Sequence, residues 1–342
     1  MGTRGQEEWL RTGNASMVKF QPALKVLAWL CRRPWEIVSV AVVIVLAQWC
    51  ARKRGGRVRV VARAGGLGDV LWAAAAADIA AKQSPQDVLL FLTQPAMHEA
   101  VRLAAPEILL IMTHLPNPHM QSLLRHGLDV MDLAYEAEDI AGRHMVQTYL
   151  KQMGCPPEKH EYRWHFKQTP DPRADLPVAC IYAGPSWAVR EVPLTVWNSV
   201  VRHLQNELGL RVLQVLPDER PEMRVSGCDH FVIGAPLAYI CNLFNQSTLV
   251  LTIDSIMLHL AAGTKAPLVG VFGPTLASCR LFETPRQQAV SAQVVCAGCH
   301  HRQPRLHWES GCPNDIACMK QMTAEMILTA VSRVVAMAGA PQ

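Results

Sequence analysis

The chain has 342 residues, with 33 Lys/Arg against 28 Asp/Glu and a formal net charge of +5. Half of the residues are apolar and 18% are charged, which excludes disorder for most of the chain and allows two modest domains with real cores. The charge is uneven: residues 1–59 hold eleven bases and three acids, the remainder 22 and 25, so a basic head suited to an anionic membrane surface, rather than to nucleic acid, precedes a slightly acidic body.

The head contains the run WEIVSVAVVIVLAQWCA at 35–51. Trp35 and Trp49 bracket it, with Arg32/Arg33 and Arg52/Lys53/Arg54 outside them. Aromatic residues inside flanking bases match membrane-interface anchoring, yet the run is shorter than the roughly 20 residues of a spanning helix. It predicts a membrane anchor, as a short span or an interfacial helix, with a soluble helix packed on the body or on a partner, or a misassigned start, as the alternatives. The late start of the run argues against a signal peptide. Gly55-Gly56 then reads as a hinge, so residues 1–56 form a basic, hydrophobic N-terminal helical extension.

The body alternates strands with helices. Residues 58–62 (VRVVA) predict a buried strand, followed by a glycine turn and an alanine-rich helix from Val70 to about Lys82. Strands at 88–93, 108–112 and 128–133 and helices at 96–105 and 143–153 continue the pattern. A Thr-Pro-Asp-Pro stretch at 169–172 reads as a linker. The cycle restarts with strands at 178–183, 211–216, 248–253 and 268–272. Its helices fall at 194–208, 236–244, 257–263 and 323–338. This predicts an α/β protein with two parallel-sheet domains, 57–170 and 171–342, and ligands at the carboxyl ends of the strands.

The turns after strands carry the chemistry. Gly66-Leu67-Gly68-Asp69 opens a helix, but Leu71 stands where a dinucleotide fingerprint needs its third glycine, so nicotinamide or flavin binding is not supported. Asp69 suits either a helix cap or a general base. Asp254-Ser255 ends a strand directly before a helix, a place where an anion can meet backbone N–H groups, and His259 follows on that helix.

Eleven cysteines in a long chain exclude a small disulfide scaffold. Cys296, Cys299, Cys312 and Cys318 form a spaced set, with His300, His301 and His307 nearby. A structural zinc or iron site, reduced thiols, or one or two disulfides all suit that pattern.

The run 254–275, DSIMLHLAAGTKAPLVGVFGPT, is similar to the signature of glycosyltransferase family 9, the ADP-heptose:lipopolysaccharide heptosyltransferases. The Gly66–Asp69 loop looks like that family's N-terminal Gly-Asp loop, and residues 143–154 and the cysteine pattern before Met319 also resemble family members. The resemblance covers about residues 57–335. It implies a GT-B fold of two Rossmann-like domains, the N-terminal one for the acceptor and the C-terminal one for a nucleotide-sugar donor, ADP-heptose by family default. It implies inverting transfer with no cofactor required, Asp69 taking the proton of the acceptor hydroxyl.

The resemblance also implies donor-site residues. Ser186 matches a hydroxyl residue, and Arg190 stands for the family's phosphate-neutralising lysine. Val192 replaces the tryptophan of that Lys-x-Trp-Pro run. Glu219, or Glu222 in its place, matches the ribose glutamate. Ala235 falls where backbone meets adenine. Asp254 matches the carboxylate that grips sugar hydroxyls, Ser255 and Ile256 the phosphate-facing helix start, and His259 the family histidine. Ile256 replaces a common glycine. Gly66 and Gly68 belong to the acceptor-side loop. The short N-terminal domain implies an unusual acceptor: a glycan, a lipid precursor or a protein. The basic head places the enzyme at the cytoplasmic face of the inner membrane. An epimerase-like enzyme or a non-catalytic binding protein on this fold are the alternatives.

Overall fold

The computed structural model describes residues 34–112, 128–133, 143–157, 162–170, 177–184, 187–302 and 312–338. They group into two compact units.

The first unit holds helix α1 (Pro34–Arg54) and strands β1 (Val58–Ala62), β2 (Val88–Thr93), β3 (Leu109–Met112) and β4 (Asp129–Asp132). The strands form one parallel sheet in the order β3-β2-β1-β4. β1 and β2 are buried along their whole length, so their sequences are continuous apolar runs rather than alternating ones.

Helix α1 is part of this core. Val40, Ala47 and Ala51 pack with Val58, Val60, Val88 and Leu90 of the sheet. Its other face leaves Val38, Val42, Val45, Leu46 and Trp49 half exposed. Among the described residues no helix is long and apolar enough to cross a membrane. The spanning form of the predicted anchor is therefore not seen, and the alternative of a helix packed on the body is. Gly55-Gly56 is a helix cap rather than a hinge. Gly55 has φ 70°, and the Gly56 N–H donates to the Ala51 carbonyl at 2.9 Å. A left-handed glycine with this six-to-one bond closes a helix end.

The second unit takes in Gly65–Ala80 and Glu99–Glu107 from the first half of the chain, and the described residues from Leu133 onward. Its helices are α2 (Leu67–Gln83), α3 (His98–Ala104), α4 (Met145–Gln152), α5 (Leu194–Asn206), α6 (Leu237–Gln246), α7 (Ile256–Ala262), α8 (Cys299–Arg302), α9 (Ala317–Lys320) and α10 (Ala324–Ala338). The last three residues of α2 and the first of α3 group with the first unit.

Its strands are β5 (Val178–Tyr182), β6 (Arg211–Leu216), β7 (His230–Ile233), β8 (Leu249–Ile253), β9 (Leu268–Phe272) and β10 (Gln287–Ser291). All pair in parallel, in the order β10-β9-β8-β5-β6-β7. The chain winds outward from β5 to β7, then returns to the other side of β5 with β8. The crevice at the carboxyl ends of β5 and β8 is thus the switch point at which such sheets bind ligands.

β7 and β10 escaped sequence reasoning. Both are sheet edges, with one unpaired side and partly exposed residues, so neither carries the apolar run of a central strand.

Candidate active site

Five turns meet at the carboxyl edge of the larger sheet. Arg190 follows β5, Glu219 follows β6, Ala235 follows β7, Asp254 follows β8 and Thr275 follows β9. Strand order sets this: the turns after β5 and β8, far apart in sequence, lie next to each other across the switch point.

Arg190 and Asp254 are paired there. One guanidinium nitrogen donates to the Asp254 carbonyl at 3.0 Å, and another lies 3.3 Å from Oδ2. Thr275 Oγ1 donates to the same carboxylate oxygen. Asp254 is buried, which by itself would push its carboxyl up. The charges of Arg190 and then Arg280 outweigh burial and hold it down at about 2. The Arg190 guanidinium also lies 5.0 Å from the Trp187 ring centre, an aromatic face that favours a cation.

His259, on α7, joins this pair to the Gly66–Asp69 loop. Its Nδ1 accepts a hydrogen bond from Trp72 Nε1 at 2.8 Å, inside the core. Neutral imidazole protonates the nitrogen that does not accept, so Nε2 carries the hydrogen. Burial is the main reason His259 stays neutral: its pKa is pushed down to about 4, Asp254 and Asp69 opposing and Arg280 assisting. The ring lies against Gly68, where a Cβ would stand 2.3 Å from Cδ2 and 2.8 Å from Nε2. Only glycine allows that approach. The Gly66 N–H donates to Asp69 Oδ2 at 3.2 Å, holding the carboxylate over the start of α2.

The other candidates are placed more loosely. Ser255 caps α7, its Oγ accepting the Met257 N–H at 3.2 Å, and Ile256 is the first helical residue. Glu219 is exposed and pairs with Arg224, and Glu222 lies in the turn Pro221–Met223. Ala235 is half buried, after Gly234. Ser186, and with it His307, lies outside the described residues.

Sequence reasoning missed Trp72, Trp164, Thr275 and Arg280 as parts of this site. Trp164 Nε1 donates to the carbonyls of His259 and Leu260 at the end of α7, at 3.0 and 2.9 Å. No spacing rule could find these contacts, because each joins segments far apart in the chain. Thr275 was within reach, as the last residue of the signature block.

Cys296, Cys299, Cys312 and Cys318 line one small apolar pocket with Val189, Pro274 and Ile316. None of the ten described cysteines is in a disulfide. Burial, then the neighbouring thiols, pushes Cys318 up to about 11, so it is a protonated thiol at neutral pH. The four thiols converge. Among the described residues no group of three or more His, Cys, Asp or Glu side chains is arranged to hold a metal ion.

No curated protein matches the chain. Solved structures do, at identities that carry the fold alone. The iron-containing dodecameric glycosyltransferase TibC from enterotoxigenic E. coli is 19% identical, with a TM-score of 0.63 over 81% of this chain and 75% of that one. A glycosyltransferase of family 9 from Veillonella parvula is 13% identical, with a TM-score of 0.62 over 82% and 97%. The E. coli ADP-heptose lipopolysaccharide heptosyltransferase II is 13% identical, with a TM-score of 0.58 over 82% and 99%. The fold of these structures, GT-B, is the α/β architecture predicted from the sequence. The family model for glycosyltransferase family 9 (heptosyltransferase) matches residues 130–309, which is more than half of the chain and includes Arg190, Asp254 and His259. With that match over a site built at the switch point of a parallel sheet, the chain belongs to glycosyltransferase family 9.

Proposed function

We propose that this glycosyltransferase moves heptose from ADP-heptose to a glycan of the lipopolysaccharide type, by inverting displacement with Asp69 as the general base and no metal in the chemical step. One observation carries the reading: His259 brings the Asp69 loop and the Asp254 turn to one place, its ring against Gly68 and its charge balance set by both carboxylates. TibC has been solved with ADP-D-β-D-heptose and the E. coli heptosyltransferase WaaC with ADP, which supports an adenine-nucleotide donor here.

Each group has a role that follows from its state. An inverting step needs one base on the face opposite the leaving group, and a carboxylate held by a backbone N–H is such a base. The departing diphosphate needs local positive charge, since the body of the chain is slightly acidic. Arg190 and Arg280 supply it, and the Nε2–H of neutral His259 donates a hydrogen bond without adding charge. Asp254, ionised and held by Thr275, accepts hydrogen bonds from sugar hydroxyls. Glu219 is assigned to the ribose, Ser255 and Ile256 to the phosphates, and Ala235 to the adenine.

The exposed stripe of α1 supports membrane association at the cytoplasmic face of the inner membrane. Val38, Val42, Val45, Leu46 and Trp49 recur at helical spacing, and Lys53 lies 3.7 Å over the Trp49 ring. An apolar stripe beside a basic helix end suits a helix lying in the plane of an anionic surface.

A panel of nucleotide sugars, read by thermal shift and donor hydrolysis, tests the reading. ADP-heptose is expected to raise the melting temperature. Asp69→Asn is expected to bind it within about twofold and to lose on the order of 10²–10⁴ in turnover. A panel in which no nucleotide sugar shifts the melting temperature overturns the donor assignment, and full turnover by Asp69→Asn overturns the base.

A further inference from the structure

A second cavity, of 530 Å³, lies in the larger unit behind Trp72. Among the described residues that line it, Asp69, Arg190 and Asp254 do not appear, so it is not the donor crevice. Its volume falls in the range of small-molecule sites.

The inner wall is aromatic. Phe282 stacks on His144 with ring centres 4.0 Å apart, and on Tyr162 at 5.9 Å with planes 5° apart. Trp72 closes this wall edge-on, 4.6 Å from His144 and 4.9 Å from Tyr162. His144 is buried and supplies one polar atom. Its Nδ1 accepts the Val146 N–H, so the hydrogen of the neutral ring sits on Nε2. That Nε2 makes no well-aligned hydrogen bond among the described residues, although the Arg280 backbone is close enough to act on the ring. An oxygen of a ligand in the cavity would give this buried N–H a better-aligned acceptor.

The mouth is cationic. Arg163, Lys265 and Arg286 line it against one carboxylate, Glu283. Arg163 is engaged, donating to the Thr264 carbonyl at 2.9 Å. Arg286 Nε has no hydrogen-bond partner among the described residues.

We propose that this cavity binds a phosphorylated sugar, the ring against the Phe282 and Tyr162 faces, a hydroxyl oxygen on His144 Nε2, and the phosphate on Lys265 and Arg286. Aromatic faces with a few convergent donors suit a sugar ring, and a guanidinium beside an ammonium suits a phosphate. The proposal does not rest on the donor assignment: Trp72 lines this cavity and also bonds His259, but Asp69, Arg190 and Asp254 take no part in it.

Calorimetric titration of the full chain tests it, with glucose 6-phosphate, glucose and inorganic phosphate as probes. Glucose 6-phosphate is expected to bind at one site, at least tenfold more tightly than either of the others. Lys265→Gln/Arg286→Gln is expected to weaken it tenfold or more at an unchanged melting temperature of the ligand-free protein, and Phe282→Leu to weaken it as much with some loss of melting temperature from the lost ring stacking. Arg190→Gln is expected to leave it unchanged. A phosphomannan oligosaccharide that binds more tightly than glucose 6-phosphate would identify a glycan-borne phosphosugar as the source, and equal or weaker binding a free one. Three results overturn the proposal. They are no saturable binding of glucose 6-phosphate, inorganic phosphate binding as tightly as it does, and loss of binding in Arg190→Gln but not in Lys265→Gln/Arg286→Gln.

Discussion

Trp72 donates its indole N–H to His259 Nδ1 at 2.8 Å, across 187 residues of sequence and within the buried core. The bond settles the tautomer of His259, leaving the hydrogen on Nε2. In Trp72→Phe the ring remains but the donor is gone, leaving a buried acceptor without its partner. The expected result is a loss of about 1–3 kcal/mol of stability, measured by urea unfolding. Turnover should fall further than donor affinity, since the freed imidazole can present either nitrogen to the phosphates.

Asp254 and Arg190 form a partly buried ion pair, with side-chain exposures of 4% and 18%. Asp254→Asn keeps the shape and removes the charge, so Arg190 and Arg280 lose the carboxylate that offsets them. Breaking such a pair from one side costs about 3 kcal/mol. Calorimetry with ADP-heptose should show at least a tenfold loss of affinity. Plain ADP should lose less, because it lacks the sugar that the carboxylate holds.

Stability should depend on pH in two windows. His259 titrates at about 4 when folded and near 6.5 when unfolded, so between these values the unfolded chain binds more protons. Stability is therefore whole above pH 6.5 and falls as pH drops toward 4, by up to about 1.4 kcal/mol per pH unit for one histidine. His144, which burial holds well below its ordinary value, adds in the same direction. Asp254 adds stability above 3.8 that is lost as pH falls toward 2. Urea midpoints from pH 7 to 4 should fall steadily in the wild type and less steeply in His259→Gln.

The two faces of α1 should respond oppositely to substitution. Ala47→Asp places a charge among Val58, Val60 and Leu90 and is expected to unfold the first unit, seen as loss of protection in amide hydrogen exchange. Val45→Asp/Leu46→Asp falls on the exposed stripe and should leave the fold intact. In flotation with anionic vesicles the same pair should release the protein from lipid. Deleting residues 1–55 would remove part of the core as well, so it cannot separate anchoring from folding.

The sequence determined the alternation of strands and helices, because parallel strands buried on both faces must be continuous apolar runs, as in β1, β2, β5, β8 and β9. It also determined which turns carry Arg190 and Asp254 and which helix starts carry Asp69 and His259, since these follow predicted strands. It did not show the edge strands β7 and β10, whose half-exposed residues lack that pattern. For α1 it gave apolar length but not a direction of burial. An all-apolar run reads alike whether it meets lipid or a sheet, and only packing shows that Val40, Ala47 and Ala51 face inward.

Tertiary structure alone decided which distant residues meet. Pairing of β5 with β8 places Arg190 beside Asp254, where one was expected to serve phosphate and the other sugar. Docking of residues 65–80 into the larger unit brings Trp72 and Gly68 onto His259. Local sequence cannot encode such contacts, because the energy that fixes them is burial shared between segments far apart in the chain. The sequence thus supplied the charged groups of the site, and the fold supplied their protonation states, by removing them from water and setting them against one another.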